Sequence, residues 1–200
     1  MKKVYFLQRL LAYIVDYLII TLILFACISI FEIFVPTSPK VEKATNDFLE
    51  SYNNLLLDPE NAKLDEFYDN IYIIEKDGVP TLLFGIIINL AYFGAFQFYN
   101  KGQTFGKKLL KIKIARNSAN DKYTYLVSVI RAALTYSSIS NLLISLVFIC
   151  LGSDIYIMPY MFINTIAGTF KIISIFMIVF RKDGRGLPDM ICHTRVESVN

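Results

Sequence analysis

LLAYIVDYLIITLILFACISIFEIFV, residues 10 to 35, contains two charged residues, Asp16 and Glu32, in an otherwise apolar run. A bilayer core about 30 Å thick takes roughly 20 mostly apolar residues in helical form. The stretch therefore reads as a membrane-spanning helix, and three others resemble it: Thr81 to Phe98, Leu126 to Leu151 and Ile157 to Phe180. The expected fold class is an all-α membrane protein with four transmembrane helices and a 45-residue outer loop, residues 36–80. Composition agrees. Of 200 residues 55% are hydrophobic, mean hydropathy is +0.49 and 18% are charged, beyond the apolar share of ordinary soluble domains.

Lys and Arg concentrate on the cytoplasmic side of membrane proteins. Lys2, Lys3 and Arg9 precede or open the first block, and Arg181, Lys182, Arg185 and Arg195 follow the fourth. Lys101, Lys107, Lys108, Lys111, Lys113, Arg116 and Lys122 lie in the inner loop, residues 99–125, against the single acid Asp121. In the outer loop ten acids, Glu42 to Asp77, face Lys40, Lys43, Lys63 and Lys76. Both termini are expected in the cytoplasm. Met1 to Lys3 and LFAC at Leu24 to Cys27 faintly resemble a cleaved leader, but Asp16 interrupts the apolar run, and cleavage would move the basic inner loop outside.

In the outer loop Asn46 can cap a helix with Phe48, Leu49, Tyr52, Leu55 and Leu56 on one face, ended by Asp58 and Pro59. Such a helix fits either an extracytoplasmic cap or a position on the lipid surface. NIYIIEKDGVP reads as an extended turn. In the inner loop KKLLKIKIAR alternates Lys with Ile and Leu, a strand-like period. NSAND then supplies a turn and KYTY a returning strand, giving a basic hairpin suited to anionic headgroups.

KGQTFGKK fails as a phosphate loop. Three residues separate Gly102 from Gly106, and Lys108 stands where a magnesium-binding Ser or Thr would be. Cys27, Cys150 and Cys192 are widely separated, and Cys192 with His193 makes a poor zinc site, so no metal or cofactor is expected. No internal repeat and no nucleic-acid module is recognisable.

RLLAYIVDYLI, KGQTFGKKLLKIKI and GRGLPDMICHTRV together resemble the bacterial RDD-family membrane proteins, named for an Arg and two Asp residues. The matching positions are Arg9, Asp16 and Asp189, with Gly102, Thr104, Gly106 and Lys107 matching a G-x-T-x-G-K element; Arg131 also fits. Pro188 replaces a common His, and Cys192 and His193 replace a usual Ala-Gly pair. The resemblance implies a multi-pass helical domain in a bacterial inner membrane, with transport the usual suggestion.

Ionisable groups at the centre of a span cost about 2.5 to 3.5 kcal/mol on insertion scales, so Asp16, Arg131 and Lys171 each need an account. Asp16 and Arg131 lie at similar depth and are expected to pair, leaving Arg9 for Asp189 or a phosphate headgroup. Arg131, Thr135, Ser138, Asn141 and Ser145 form a polar stripe on the third block. Gly85 and Asn89 share a face of the second; Asn164, Gly168 and Lys171 share one on the fourth. These faces are expected to turn inward. Structural glue and a path for an ion or small solute both fit such an interior. The chain is accordingly expected to be a transporter, oligomeric because four helices are few, or a non-transporting regulator or assembly factor bound to another membrane protein. No Ser-His, paired-Asp or metal-ligand constellation points to an enzyme.

Overall fold

The structure, a computed structural model, describes residues 4–34, 38–59, 63–118 and 121–199. Lys2, Lys3, Val35, Glu60 and the middle of NSAND, among the positions used above, lie outside them. Helix α1 spans Phe6–Phe34. Pro39–Leu57 forms α2, and Leu64–Leu90 forms α3, which continues through a π-helical turn, Ala91–Phe96, into α4, Gln97–Tyr99. Next come α5 (Phe105–Leu109) and strand β1 (Ile112–Arg116). Tyr125–Thr135 (α6) and Ser138–Cys150 (α7) precede α8 (Ile157–Phe180), α9 (Leu187–Ile191) and strand β2 (Thr194–Ser198). Three helices are long and apolar enough to cross a membrane, and a fourth crossing follows if α6 and α7 count as one bent span.

Three expectations about the loops are corrected. The outer helix begins at Pro39 behind Ser38, because proline's fixed φ suits the first turn of a helix. Its end at Leu57, with Asp58 as C-cap, is as expected. Ala44 is buried and Phe48 stacks on Phe67 of α3 at 5.1 Å, while Leu49, Tyr52 and Leu56 stay exposed. NIYIIEKDGVP is helical, so the second span starts at Leu64 and not at Thr81, and Gly78 and Pro80 lie inside it. Packing on both sides of the proline carries the helix through: Tyr72 and Val79 before it and Leu82 and Leu83 after it join Phe148 and Tyr156 in one core cluster. Tyr72 Oη donates to the Leu151 carbonyl at 2.7 Å and Tyr156 Oη to that of Tyr68 at 2.8 Å.

β1 is the strand that the alternation predicts, but KYTY is not its partner: Thr124 caps α6 instead, its hydroxyl accepting from Val127 N at 3.4 Å. β1 pairs antiparallel with β2 of the tail, Ile112 opposite Ser198 and Arg116 opposite Thr194. Strand pairing needs a partner with matching twist and burial. Val196, opposite the buried Ile114, supplies it by packing on the cluster that Ile112 forms with Ala12 of α1 and Val4.

The stretch expected to form the third span is bent. α6 and α7 meet at 66°, and Ser137 at the joint has φ 61°, a left-handed conformation unusual away from glycine. The polar stripe is therefore not one face of one helix. Thr135 Oγ1 donates back to the Arg131 carbonyl and Ser145 Oγ to that of Asn141, both bonds within their own helices.

The chain also contains a repeat that the sequence hides. Residues 92–116 and 174–198 build the same unit 82 positions apart. Gly102 (φ 86°) answers Gly184 (φ 61°), and Lys111 (φ 53°) answers His193 (φ 50°). Phe105 N donates to Tyr92 Oη at 3.4 Å, as Leu187 N does to Ser174 Oγ at 3.2 Å. Val199 N donates to the Lys111 carbonyl at 2.8 Å and Asn117 N to that of His193 at 2.9 Å. Bonds that interchange in this way relate the two units by an approximate two-fold axis through the β1–β2 pair. α5 packs on α1 as α9 packs on α6. Gly102/Gly184 and Phe98/Phe180 are the two identities between the equivalent stretches 92–116 and 174–198, too few to read as a repeat.

Candidate functional site

At the end of the bundle where α1 begins and α4 and α8 finish, each repeat unit holds one buried charge against the first helix of its half. In the first, Thr104 sits before α5 in extended conformation, and α5 presents its N-terminus to α1. Asp16, 1% exposed, accepts there from the Gly106 N–H and from Tyr92 Oη, both at 2.8 Å to Oδ1, while Oδ2 accepts from Thr104 Oγ1. Lys107 Nζ lies 3.9 Å from Oδ2 and donates to Gln97 Oε1 at 2.8 Å. The π-helical turn supplies Tyr92 and Phe93 and is followed at once by Gln97; such turns widen a helix and re-aim its side chains. Gln97 Nε2 in turn donates to Tyr123 Oη at 3.0 Å, and Ser128 Oγ donates to the Gly94 carbonyl at 2.7 Å.

Gly106 is required by close approach. A Cβ there would stand 2.3 Å from the Ala12 carbonyl oxygen and 2.9 Å from Asp16 Cγ. Gly102 needs its positive φ, and a Cβ would stand 2.2 Å from the Ile114 carbonyl oxygen. The G-x-T-x-G-K element is thus a carboxylate clasp: glycines for approach, a hydroxyl and an amide as donors, and a lysine as counter-charge.

The second unit reverses the signs. Asp189, at the position equivalent to Lys107, accepts from Arg131 Nε at 2.8 Å, and Arg131 Nη2 lies 2.8 Å from the same oxygen. Thr194 Oγ1 adds a bond at 3.2 Å. Arg9 Nη1 is 3.5 Å from Asp189 Oδ2 and donates to the Gly184 carbonyl at 2.6 Å, while its Nε is buried without a partner. The expected pair of Asp16 with Arg131 is therefore not made; each has a partner delivered by the repeat unit of its own half. Arg9 does meet Asp189, one of the two alternatives expected for it.

Three bases, Arg9, Lys107 and Arg131, face two acids, Asp16 and Asp189. Burial pushes Lys107, outside the spans, down to about 7; Asp16 opposes this shift and Arg131 reinforces it. Burial also raises the Cys192 thiol, which suits a packing role.

The remaining expected residues fall elsewhere. Asn89 and Asn141 line a cleft of about 500 Å³ with Thr81, Gly85, Tyr136 and Ser138, between α1, α3 and the α6–α7 joint. Lys171 and Asn164 do not turn inward. Both are exposed on α8, where Asn164 Nδ2 donates to the Tyr160 carbonyl at 2.9 Å. Tyr92, Gln97, Tyr123 and Ser128 escaped the sequence reading; a Gln and a Tyr inside an apolar block, in NLAYFGAFQF, were the available signal.

No curated protein and no solved structure matches the chain. The family model for the RDD family matches residues 4–193, which include every charged member of both clusters, and the chain belongs to that family.

Proposed function

We propose that this protein moves an ion or small polar solute across the bacterial cytoplasmic membrane, as an oligomer, with both termini and the two repeat units on the cytoplasmic side. The supporting observation is the joint between α6 and α7. Irregular backbone at membrane depth is tolerated where it is buried in protein or lines a polar cavity, and broken helices commonly build solute sites in transporters. Here Tyr136 and Ser138, on either side of the joint, line the cleft that holds Asn89 and Asn141. The charge clusters close one end and supply a titratable group, Lys107. Localisation rests on the family and on the distribution of basic residues.

Purified protein in liposomes, under sodium, potassium and proton gradients and with a panel of small polar solutes, is the test. The expected result is a flux that Asn141→Leu lowers at least tenfold without changing the melting temperature. Absence of flux in every condition overturns the reading. The second reading, a non-transporting regulator or assembly factor, is favoured by one observation, the exposure of Lys171 on α8.

A further inference from the structure

The repeat predicts a contact that the chain does not make. α3 packs along α7, joining the first half to the second. The same rotation places α8 against α1, yet α8 and α1 share no comparable interface. None of the most apolar 18 residues of α8 is buried, against 17% for α1 and 28% for α3 with α4.

The uncovered helix is not plain lipid-facing apolar surface. Asn164, Gly168 and Lys171, spaced by four and three, fall within about 60° of one another on a helix. A Cβ on Gly168 would meet nothing within 4 Å. Lys171 stands nine residues before the end of α8 at Phe180, roughly 14 Å along the axis. Helical side chains lean toward the N-terminus, here away from that end, so its ammonium does not reach the nearer headgroups.

We infer that the Asn164–Gly168–Lys171 face of α8 is a docking surface for a transmembrane helix of another protein, one that brings an Asp or Glu to the depth of Lys171. Charge complementarity selects this occupant. A second copy docked by the same face would set Lys171 against Lys171. Of the two acids in α1, Glu32 lies two residues from the end of the helix, away from the depth of Lys171, and Asp16 is buried and fully engaged. Gly168 allows close approach of the two backbones, and Asn164 adds an amide that can bond across the interface. The inference deepens the second functional reading and is independent of conduction through the cleft.

A photo-crosslinking amino acid placed at position 164 or 168 of the full chain, in membranes of the native host, tests it, with positions 162 and 173 on the opposite face as controls. The expected result is a product with one heterologous membrane protein, formed from 164 and 168 and not from 162 and 173. Mass spectrometry should place the link on a transmembrane helix containing Asp or Glu. Lys171→Met should lower the yield at least tenfold and Lys171→Arg should preserve it. Lys171→Glu combined with Lys at the partner's acid should restore it. Products with lipid alone or with a second copy, equal yields from both faces, or indifference to Lys171→Met would each overturn the proposal. Liposomes of purified protein contain no partner, so their flux should be unchanged in Lys171→Met. Loss of flux there with unchanged crosslinking would place Lys171 in the conducting path and overturn docking.

Discussion

Arg131 grips Asp189 through two nitrogens, Nε and Nη2, each 2.8 Å from the same carboxylate oxygen, and both residues are buried. Removing one partner of a buried pair leaves an uncompensated charge and costs about 3 to 5 kcal/mol. Asp189→Asn should cost more than Arg131→Met, because it strands Arg9 as well. The double variant Arg131→Met/Asp189→Asn should be milder than the sum of its parts. Asp16 and Arg131, which do not touch, should couple more weakly in the same cycle. Denaturation in detergent micelles reads all of these, and strong coupling between Asp16 and Arg131 would contradict the pairing.

What was legible in the chain follows from where information is local. The α8 boundaries, Ile157–Phe180, agree with the sequence because hydropathy alone decides them. Arg9, Asp16, Asp189 and the G-x-T-x-G-K element were recognisable as residues, but not who partners whom. Asp16 and Arg131 have matched depth and opposite charge, yet short-range donors at Gly106, Thr104 and Tyr92 outcompete a distant guanidinium for Asp16. The joint at Ser137 was hidden because TYSSIS is compatible with a continuous helix, and the residue that takes the left-handed conformation is a serine and not a glycine. The repeat was invisible because it conserves backbone turns, at Lys111 and His193, and not side chains.

Opposite effects should follow from the same substitution at two glycines. Gly106→Ala forces a Cβ to within 2.3 Å of backbone, which cannot yield as a side-chain tip can, and overpacking of this kind typically costs about 1 to 3 kcal/mol. Gly78→Ala, inside α3 with nothing within 4 Å, should stabilise by roughly 0.5 to 1 kcal/mol, since alanine loses less entropy in a helix. Thermal melts of the two variants check the sign.

Topology is testable without purification. A reporter inserted after Asn117, at the end of β1, or fused to the C-terminus beyond β2 should report cytoplasm, and one within residues 58–63 should report the outside. Because β1 and β2 pair, the first two sites must lie on one side of the membrane. Opposite reports from them would break the four-crossing arrangement with its bent third span.

Lys107 should give the protein a measurable pH response. Its pKa is lowered by burial from 10.5 to about 7, whereas in the unfolded chain it returns to the ordinary lysine value. Between about pH 7 and 10.5 the unfolded state therefore binds more protons than the folded one, and stability rises with pH across that window. Below 7 both states are protonated and the cost of burying the ammonium is present in full. Lys107→Met removes the titrating group and keeps a similar stem, so its stability profile should be flatter from pH 7 to 10 than that of the parent. The difference between the two curves isolates Lys107 from tyrosines and cysteines that titrate in the same range. A parent curve that tracks the variant across the window would show that Lys107 stays charged beside Asp16, and that the cluster holds three cations against two anions.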